Sequence, residues 1–326
     1  MTKPKLIWFR EMEYPAPSMI VDHHRKIWQQ YFNIEIYDAN RHYDKKNTVF
    51  ISSIIHGPTP ILKELRSNGH RVILDNLWEI PSWLAPRDDD DSIALNYNIG
   101  EAVQDGWYIL ECQEYFWYNE YVNNQHYENL RVWDLQLEKL ALMPIRKTRF
   151  HRRMLKELAG PWLDRMIWSF NDENIFLPGD VDHETLFHYF NDRYVKWDWY
   201  NKTFCSVVSE TYIGAGPWIT EKTFKPIAYC HPFLIQACPG TLEYIKSLGF
   251  VTFDNIFDES YDKINDMYDR VKLMLSNLDV IDLDRGYDRE TLDRIEHNRQ
   301  HFWNHDFVMG RYFDRVIRPV LEYATS

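Results

Sequence analysis

Short apolar runs alternate with amphipathic stretches through the first 75 residues. Leu6–Phe9 reads as a strand, and Met19–Tyr31 places Ile20, Ile27, Trp28 and Tyr31 on one side at helical spacing. Ile34–Tyr37 and Thr48–Ile55 read as further strands. Pro58 and Pro60 open a helix over Ile61–Ser67 that stops at Asn68-Gly69, and Arg71–Leu74 is the next strand. Residues 81–106 hold Pro81, Pro86 and the run Asp88–Asp91, and are expected to be irregular; residues 107–138 are aromatic and acidic, and helical in part.

A second alternating series begins near Lys139. Leu140–Met143, Met166–Phe170, Phe204–Ser209, Pro232–Ala237 and Val251–Phe253 read as strands. Helices are expected over Phe150–Leu158 (ending at Gly160), from Thr220 to about Tyr229, over Thr241–Leu248 (ending at Gly249), over Tyr261–Leu278, and over 288–323. Strands separated by helices at this spacing argue for parallel sheets with helices on their faces. Two such series joined near residue 139 predict an α/β protein of two Rossmann-like domains facing a cleft: 1–138, and 139–326, with helices at its end.

Composition narrows the picture. At roughly 150 residues per domain, 326 residues suit two domains. Hydrophobic residues at 45% and charged residues at 26% exclude a disordered chain and a coiled-coil rod. The 13 Trp and 21 Tyr serve either core packing or stacking on sugars and bases. The net charge of −12 disfavours tight non-specific binding to nucleic acid, while leaving room for a local basic groove. The four cysteines, Cys112, Cys205, Cys230 and Cys238, form no CxxC pair and read as reduced thiols. No apolar run approaches the roughly 20 residues needed to span a bilayer, and the start has too short an apolar run for a signal peptide. The expectation is a cytoplasmic protein without a membrane span.

The segment Val208–Ile227 (Val-Ser-Glu-Thr-Tyr-Ile-Gly-Ala-Gly-Pro-Trp-Ile-Thr-Glu-Lys-Thr-Phe-Lys-Pro-Ile) carries the most chemistry. A strand delivers Ser209 and Glu210 to its carboxyl end, where ligands bind in open α/β sheets. A loop with Gly214, Gly216 and Pro217 leads to Thr220, which starts a helix holding Glu221 and Lys222, with Lys225 one turn on. Free amides and the dipole of a helix start suit phosphate, Lys222 adds a full charge, and a carboxylate can accept two hydrogen bonds from a sugar diol. The plain alternative is a capped surface helix.

This segment resembles the Thr-Glu-Lys motif near the donor site of fucosyltransferases and related GT-B glycosyltransferases. The wider pattern is Ser209-Glu210, Ile219–Ala228, His231-Pro-Phe, Pro239-Gly-Thr-Leu242, Leu248–Asp254 and Asp258-Glu-Ser-Tyr-Asp262. It is similar to a glycosyltransferase-like family seen often in phages and large viruses, closely over 205–275 and more loosely over 140–170. The resemblance implies a GT-B-like fold and a nucleoside-diphosphate sugar of UDP or GDP type as donor. It further implies that Glu221 holds ribose or sugar hydroxyls, Lys222 the pyrophosphate, and that Glu210 faces the donor sugar.

Arg146, Arg149 and Arg152 follow a strand at spacings of three and can converge on one anion, for which guanidinium forks are well matched. The family shows a similar Arg-x-x-Arg-x-His-Arg run there. A basic helix surface, or a groove for a nucleic-acid backbone, are the other readings. In the first domain, Glu79 is the expected general base, with Glu11 and Asp75 behind it, because an inverting transferase needs a base within hydrogen-bond reach of the acceptor hydroxyl. A surface carboxylate is the alternative for each.

Weaker constellations complete the reading. Asp88–Asp91 could hold a metal–nucleotide complex but sits in a polar run that reads as a solvated loop. His297, His301 and His305 recur every four residues, a spacing that can ligate a metal on one helix face, although Phe302 and Trp303 beside them suggest packing. His23-His24 is a surface pair or an acceptor-orienting one, and Gly214-Ala-Gly216 is no dinucleotide fingerprint. The expectation is a metal-independent glycosyltransferase with no cofactor, moving sugar to a hydroxyl of a glycan or of a hydroxymethylated base in DNA. A non-catalytic sugar- or nucleotide-binding module is the alternative class.

Overall fold

The computed structural model describes residues 3–9, 26–36, 42–43, 48–53, 64–65, 67–76, 93–96, 108–111, 114–125, 128–129, 136–146, 148–177, 197–211, 213–214 and 216–325. Six strands come first: β1 (Lys5–Phe9), β2 (Asn33–Ile36), β3 (Thr48–Ser53), β4 (Arg71–Asn76), β5 (Ile93–Asn96) and β6 (Tyr108–Glu111). Helix α1 (Glu114–Asn123) follows, then β7 (Lys139–Ile145), α2 (Phe150–Ala159), β8 (Met166–Phe170), α3 (Trp197–Asn201) and β9 (Thr203–Ser209). The chain continues through α4 (Glu221–Ala228), β10 (Phe233–Gln236), α5 (Thr241–Ser247), α6 (Met267–Ser276), α7 (Arg289–Phe302), α8 (His305–Tyr312) and α9 (Arg318–Thr325).

The chain divides into two compact units, Met1–Tyr118 with Val308–Ser326, and Asn119–Phe307. The boundaries between these units fall inside α1 and α8, whereas the division expected from the sequence lies at 138/139. Side-chain pairing explains the return of the C-terminal helices to the first unit. Tyr312 stacks on Tyr118 with ring centroids 4.6 Å apart, and its hydroxyl accepts a 2.9 Å hydrogen bond from Trp28 Nε1. The Arg71 guanidinium lies 4.2 Å over the ring of Tyr323.

The first unit holds a parallel sheet in the order β2-β1-β3-β4-β5-β6. Leu6, Ile7, Val72 and Ile73 are fully buried, as strands covered on both faces require. β5 falls inside the stretch expected to be irregular; its Ile-Ala-Leu run is short, but it pairs with β4 and β6 on either side.

The second unit holds a parallel sheet in the order β10-β9-β7-β8. Every residue of β9 and β10 is buried. The chain runs from β7 outward to β8, then returns past β7 to β9 and β10, so the strand order reverses between β7 and β9. Connections leave a sheet in opposite directions at such a point, which opens a crevice outside the carboxyl ends. The two strands part there: β7 pairs with β9 only as far as Leu142↔Ser206, while it stays with β8 to Ile145↔Phe170 and β9 stays with β10 to Ser209↔Gln236. Pro144, two residues beyond the parting, has no N–H with which to extend a ladder.

Three expected elements differ. Val251–Phe253 is not a strand, because its backbone is satisfied by side chains: Asn298 bonds both the N–H and the C=O of Val251 at 2.8 Å, and Glu259 accepts the N–H of Phe253 at 3.0 Å. The helix expected over Tyr261–Leu278 starts at Met267, where Asp266 accepts the N–H of Asp269 as a cap. The helix expected over 288–323 breaks at Trp303-Asn304, because Asn304 Oδ1 accepts the N–H of Phe307 and begins α8. A π-helical stretch at Phe313–Ile317 precedes Pro319, whose missing N–H disfavours a regular turn there.

Candidate functional site

β9 ends at Ser209, and Glu210 follows with no exposure to solvent. Its carboxylate accepts the Thr220 N–H at 2.9 Å, the Thr220 hydroxyl at 2.6 Å, the Thr223 hydroxyl at 2.6 Å and the Thr211 N–H at 3.3 Å. Glu210 thus ties the strand end to the start of α4 across the intervening loop. The loop is held further by the Cys238 thiol, which donates to the Gly216 carbonyl, and by buried Trp218 and Ile219. This corrects the expectation that Glu210 faces a ligand: its oxygens are committed within the protein. Ser209 is likewise buried, its hydroxyl donating to Gln236 Oε1 at 2.7 Å.

Thr220 caps α4, its backbone extended and its hydroxyl accepting from the Lys222 N–H. Lys222 Nζ donates to Thr220 Oγ1 at 3.0 Å and to Glu221 Oε1 at 2.5 Å. Lys222 is 28% exposed and Glu221 13% exposed, so this pair forms the accessible part of the helix start. Burial pushes the Glu221 carboxyl upward, but Lys222 and then Lys225 outweigh it and hold the group at about 2, ionised throughout the neutral range.

The second basic segment meets the same strand end. Arg149 is the cap position of α2, and that helix has no acidic residue in its first turn. Arg149 Nη1 donates to the Thr211 carbonyl at 3.0 Å; Arg152, buried, donates to the Ser209 and Glu210 carbonyls at 3.3 and 3.4 Å. His151 Nε2 donates to the Glu210 carbonyl at 3.0 Å, and Gln236 Nε2 returns a 2.8 Å bond to the His151 carbonyl. Burial and the neighbouring Arg149 lower the pKa of Arg152, while Glu210 and Glu221 oppose the shift, so the guanidinium feels both carboxylates. Burial, with repulsion from Arg152 and Arg149, holds His151 down at about 4 and therefore neutral.

The structure thus gathers Arg149, Arg152, Ser209, Glu210, Thr220, Glu221 and Lys222 at the carboxyl end of β9, beside the point where β7 and β9 part. Arg146 directly follows β7, and Lys225 lies in α4 close enough to act on Glu221. His151, Thr211, Thr223 and Gln236 belong to the same assembly and were not singled out from the sequence.

Other sequence candidates lie elsewhere. Asp75 sits near the carboxyl end of β4 in the first unit, in register with Ser53. Glu11, Glu79, Asp88–Asp91, His23, His24 and Cys112 lie outside the described residues. His297, His301 and His305 do not share one helix. His297 and His301 donate from α7 to the Gly249 and Leu248 carbonyls at 3.0 and 2.8 Å, satisfying the end of α5. Gly249 has φ +95°, and a Cβ there would lie 2.6 Å from His301 Nε2, so glycine alone fits. His305 Nδ1 bonds the Tyr121 hydroxyl at 2.8 Å. Asp262 caps α5, accepting the Leu242 N–H at 3.1 Å, so that part of the wider motif is scaffolding. No group of metal-ligating side chains occurs among the described residues, and no described helix is long and apolar enough to cross a membrane.

No protein-family profile matches the chain, and no curated protein does. A solved structure does. The chain is similar to the crystal structure of an α1,3-fucosyltransferase, with 9% sequence identity, 94% of this chain and 92% of that chain covered, and a TM-score of 0.52. The fold is a mixed α/β arrangement with parallel sheets, like that of this fucosyltransferase structure. At that identity the likeness concerns the fold, and the roles of individual side chains rest on the geometry above.

Proposed function

We propose that the protein transfers a sugar from a nucleoside-diphosphate sugar, of UDP or GDP type, to a hydroxyl acceptor. The observation that carries this reading is the meeting of two basic segments, opening α2 and α4, at one strand end beside a topological switch point. Lys222, Arg149 and Arg146 receive the diphosphate, with Arg152 behind them holding the strand end and Lys225 supplementing the charge. Glu221, ionised and partly accessible, accepts hydroxyls of the ribose or the donor sugar. Glu210 is a positioning residue that fixes Thr220 and hence the start of α4. The glycosyltransferase-like fold supports the reaction class.

Cations at the leaving group stabilise the charge that develops there, so transfer needs no metal in this reading. The general base of this reading is Glu79, ahead of Glu11 and Asp75. The net charge of −12 favours a glycan hydroxyl over a base in DNA. A transferase reading further predicts slow donor hydrolysis without acceptor, which a non-catalytic module would lack.

A thermal-shift panel of UDP, GDP, ADP, CMP and their sugars tests the donor class. The matching nucleoside diphosphate is expected to raise the melting temperature in a concentration-dependent way, by the equivalent of about 2.7 kcal/mol at a hundred times its Kd. No shift with any nucleotide up to millimolar concentration would remove the reading.

A further inference from the structure

Phe150 opens helix α2 and is 77% exposed, more than any other large hydrophobic side chain among the described residues. It has no ring partner there, although the protein pairs many of its aromatics. Helical spacing explains why no core takes it up: the buried stripe of α2 is His151, Arg152, Leu155 and Ala159, and Phe150 lies outside it. An exposed phenylalanine by itself is ordinary. The position of this one is not. Both of its neighbours are fastened to the end of β9, Arg149 through the Thr211 carbonyl and His151 through the Glu210 carbonyl. Its backbone is thereby fixed at the site while its ring is left uncovered.

We infer that Phe150 is the face on which the flat base of a nucleoside diphosphate stacks. The inference rests on the donor reading proposed above and deepens it by naming the base-binding surface. The required ligand carries negative charge at one end, for Arg149 and Lys222, and a conjugated planar ring at the other. Stacking on a single aromatic ring tolerates different bases, since each presents a π face, so Phe150 supplies affinity and not base choice.

The test compares Phe150→Ala and Phe150→Trp with the natural protein, by calorimetric titration with UDP, GDP, ADP and inorganic pyrophosphate. The exposure of Phe150 leaves little packing to lose, and unchanged melting temperatures check this. Phe150→Ala is expected to bind the nucleoside diphosphate about 10- to 100-fold more weakly, the range for loss of one base–aromatic stack, with pyrophosphate affinity unchanged. Phe150→Trp is expected to keep the affinity and to show quenching of the added indole on binding. Nucleoside diphosphate bound by Phe150→Ala as tightly as by the natural protein would overturn the inference and leave the donor reading standing. So would an equal loss for nucleotide and pyrophosphate. A natural protein that binds neither would overturn both.

Discussion

Replacing Lys222 by alanine is expected to lower the rate of sugar transfer by about two to three orders of magnitude, the loss typical of one preorganised electrostatic group. The ammonium sits on the first turn of α4, 3.0 Å from Thr220 Oγ1, and remains 28% exposed. In the proposed reaction it meets a phosphate oxygen by exchanging its bond to Glu221, and because the departing diphosphate would gain charge in the transition state, most of the loss is expected in kcat. A second consequence follows at Glu221, whose carboxyl is held low first by Lys222 and then by Lys225 against its burial. Without Lys222 that carboxyl titrates at higher pH, and residual activity is expected to fall off at a higher pH on the acid side than in the natural protein. The core is untouched by this change, so the melting temperature is expected to move by only a few degrees. Steady-state kinetics across pH reads both effects; a variant with full activity would contradict the role given to Lys222.

Acid is expected to destabilise the fold steeply between pH 6.5 and 4. His151 and His231 are both buried and both held at about 4, against an ordinary value of 6.5, with burial as the main cause in each. His231 donates from Nε2 to the Thr203 carbonyl at 2.7 Å and accepts the Ser206 hydroxyl at Nδ1 at 2.8 Å, a pairing that needs the neutral ring. In this window the unfolded chain binds more protons than the native one, so stability rises with pH and is lost as pH falls. Each histidine contributes about 3 kcal/mol across the window. Glu221 acts in a separate range: its carboxyl is depressed to about 2, so the stability it adds is lost only below about pH 4.5. Urea unfolding at a series of pH values measures the slope. His231→Gln, which retains one donor and one acceptor, is expected to reduce it by about half. A stability that stays level from pH 6.5 to 4.5 would contradict the neutral, buried state of both rings.

Much of the second unit was legible because its strands are continuous apolar runs with plain boundaries. Thr220 and Gly249 marked helix ends through chemistry confined to a few neighbouring residues. What escaped depends on contacts between distant residues. The return of α9 to the first unit rests on pairs such as Arg71 with Tyr323, and Val251 is kept out of a sheet by Asn298. Asn304 looked like one more polar residue in a helical pattern until its side chain was seen to cap α8. At the site, the residue types pointed to phosphate, and the spacing of Arg149 and Arg152 suggested convergence. Their carbonyl partners on β9 were not readable, nor was the internal commitment of Glu210, since a carboxylate at a strand end looks the same in sequence whether it meets a ligand or a helix start.

The proposed function stands on the carboxyl end of β9, with Lys222 and Arg149, holding a diphosphate. The most direct measurement is a crystal structure of the protein with a saturating nucleoside diphosphate. Phosphate oxygens are expected within hydrogen-bond distance of Lys222 Nζ and an Arg149 guanidinium nitrogen. A nucleotide bound elsewhere, with Lys222 still paired to Glu221 and no phosphate near α4, would contradict it.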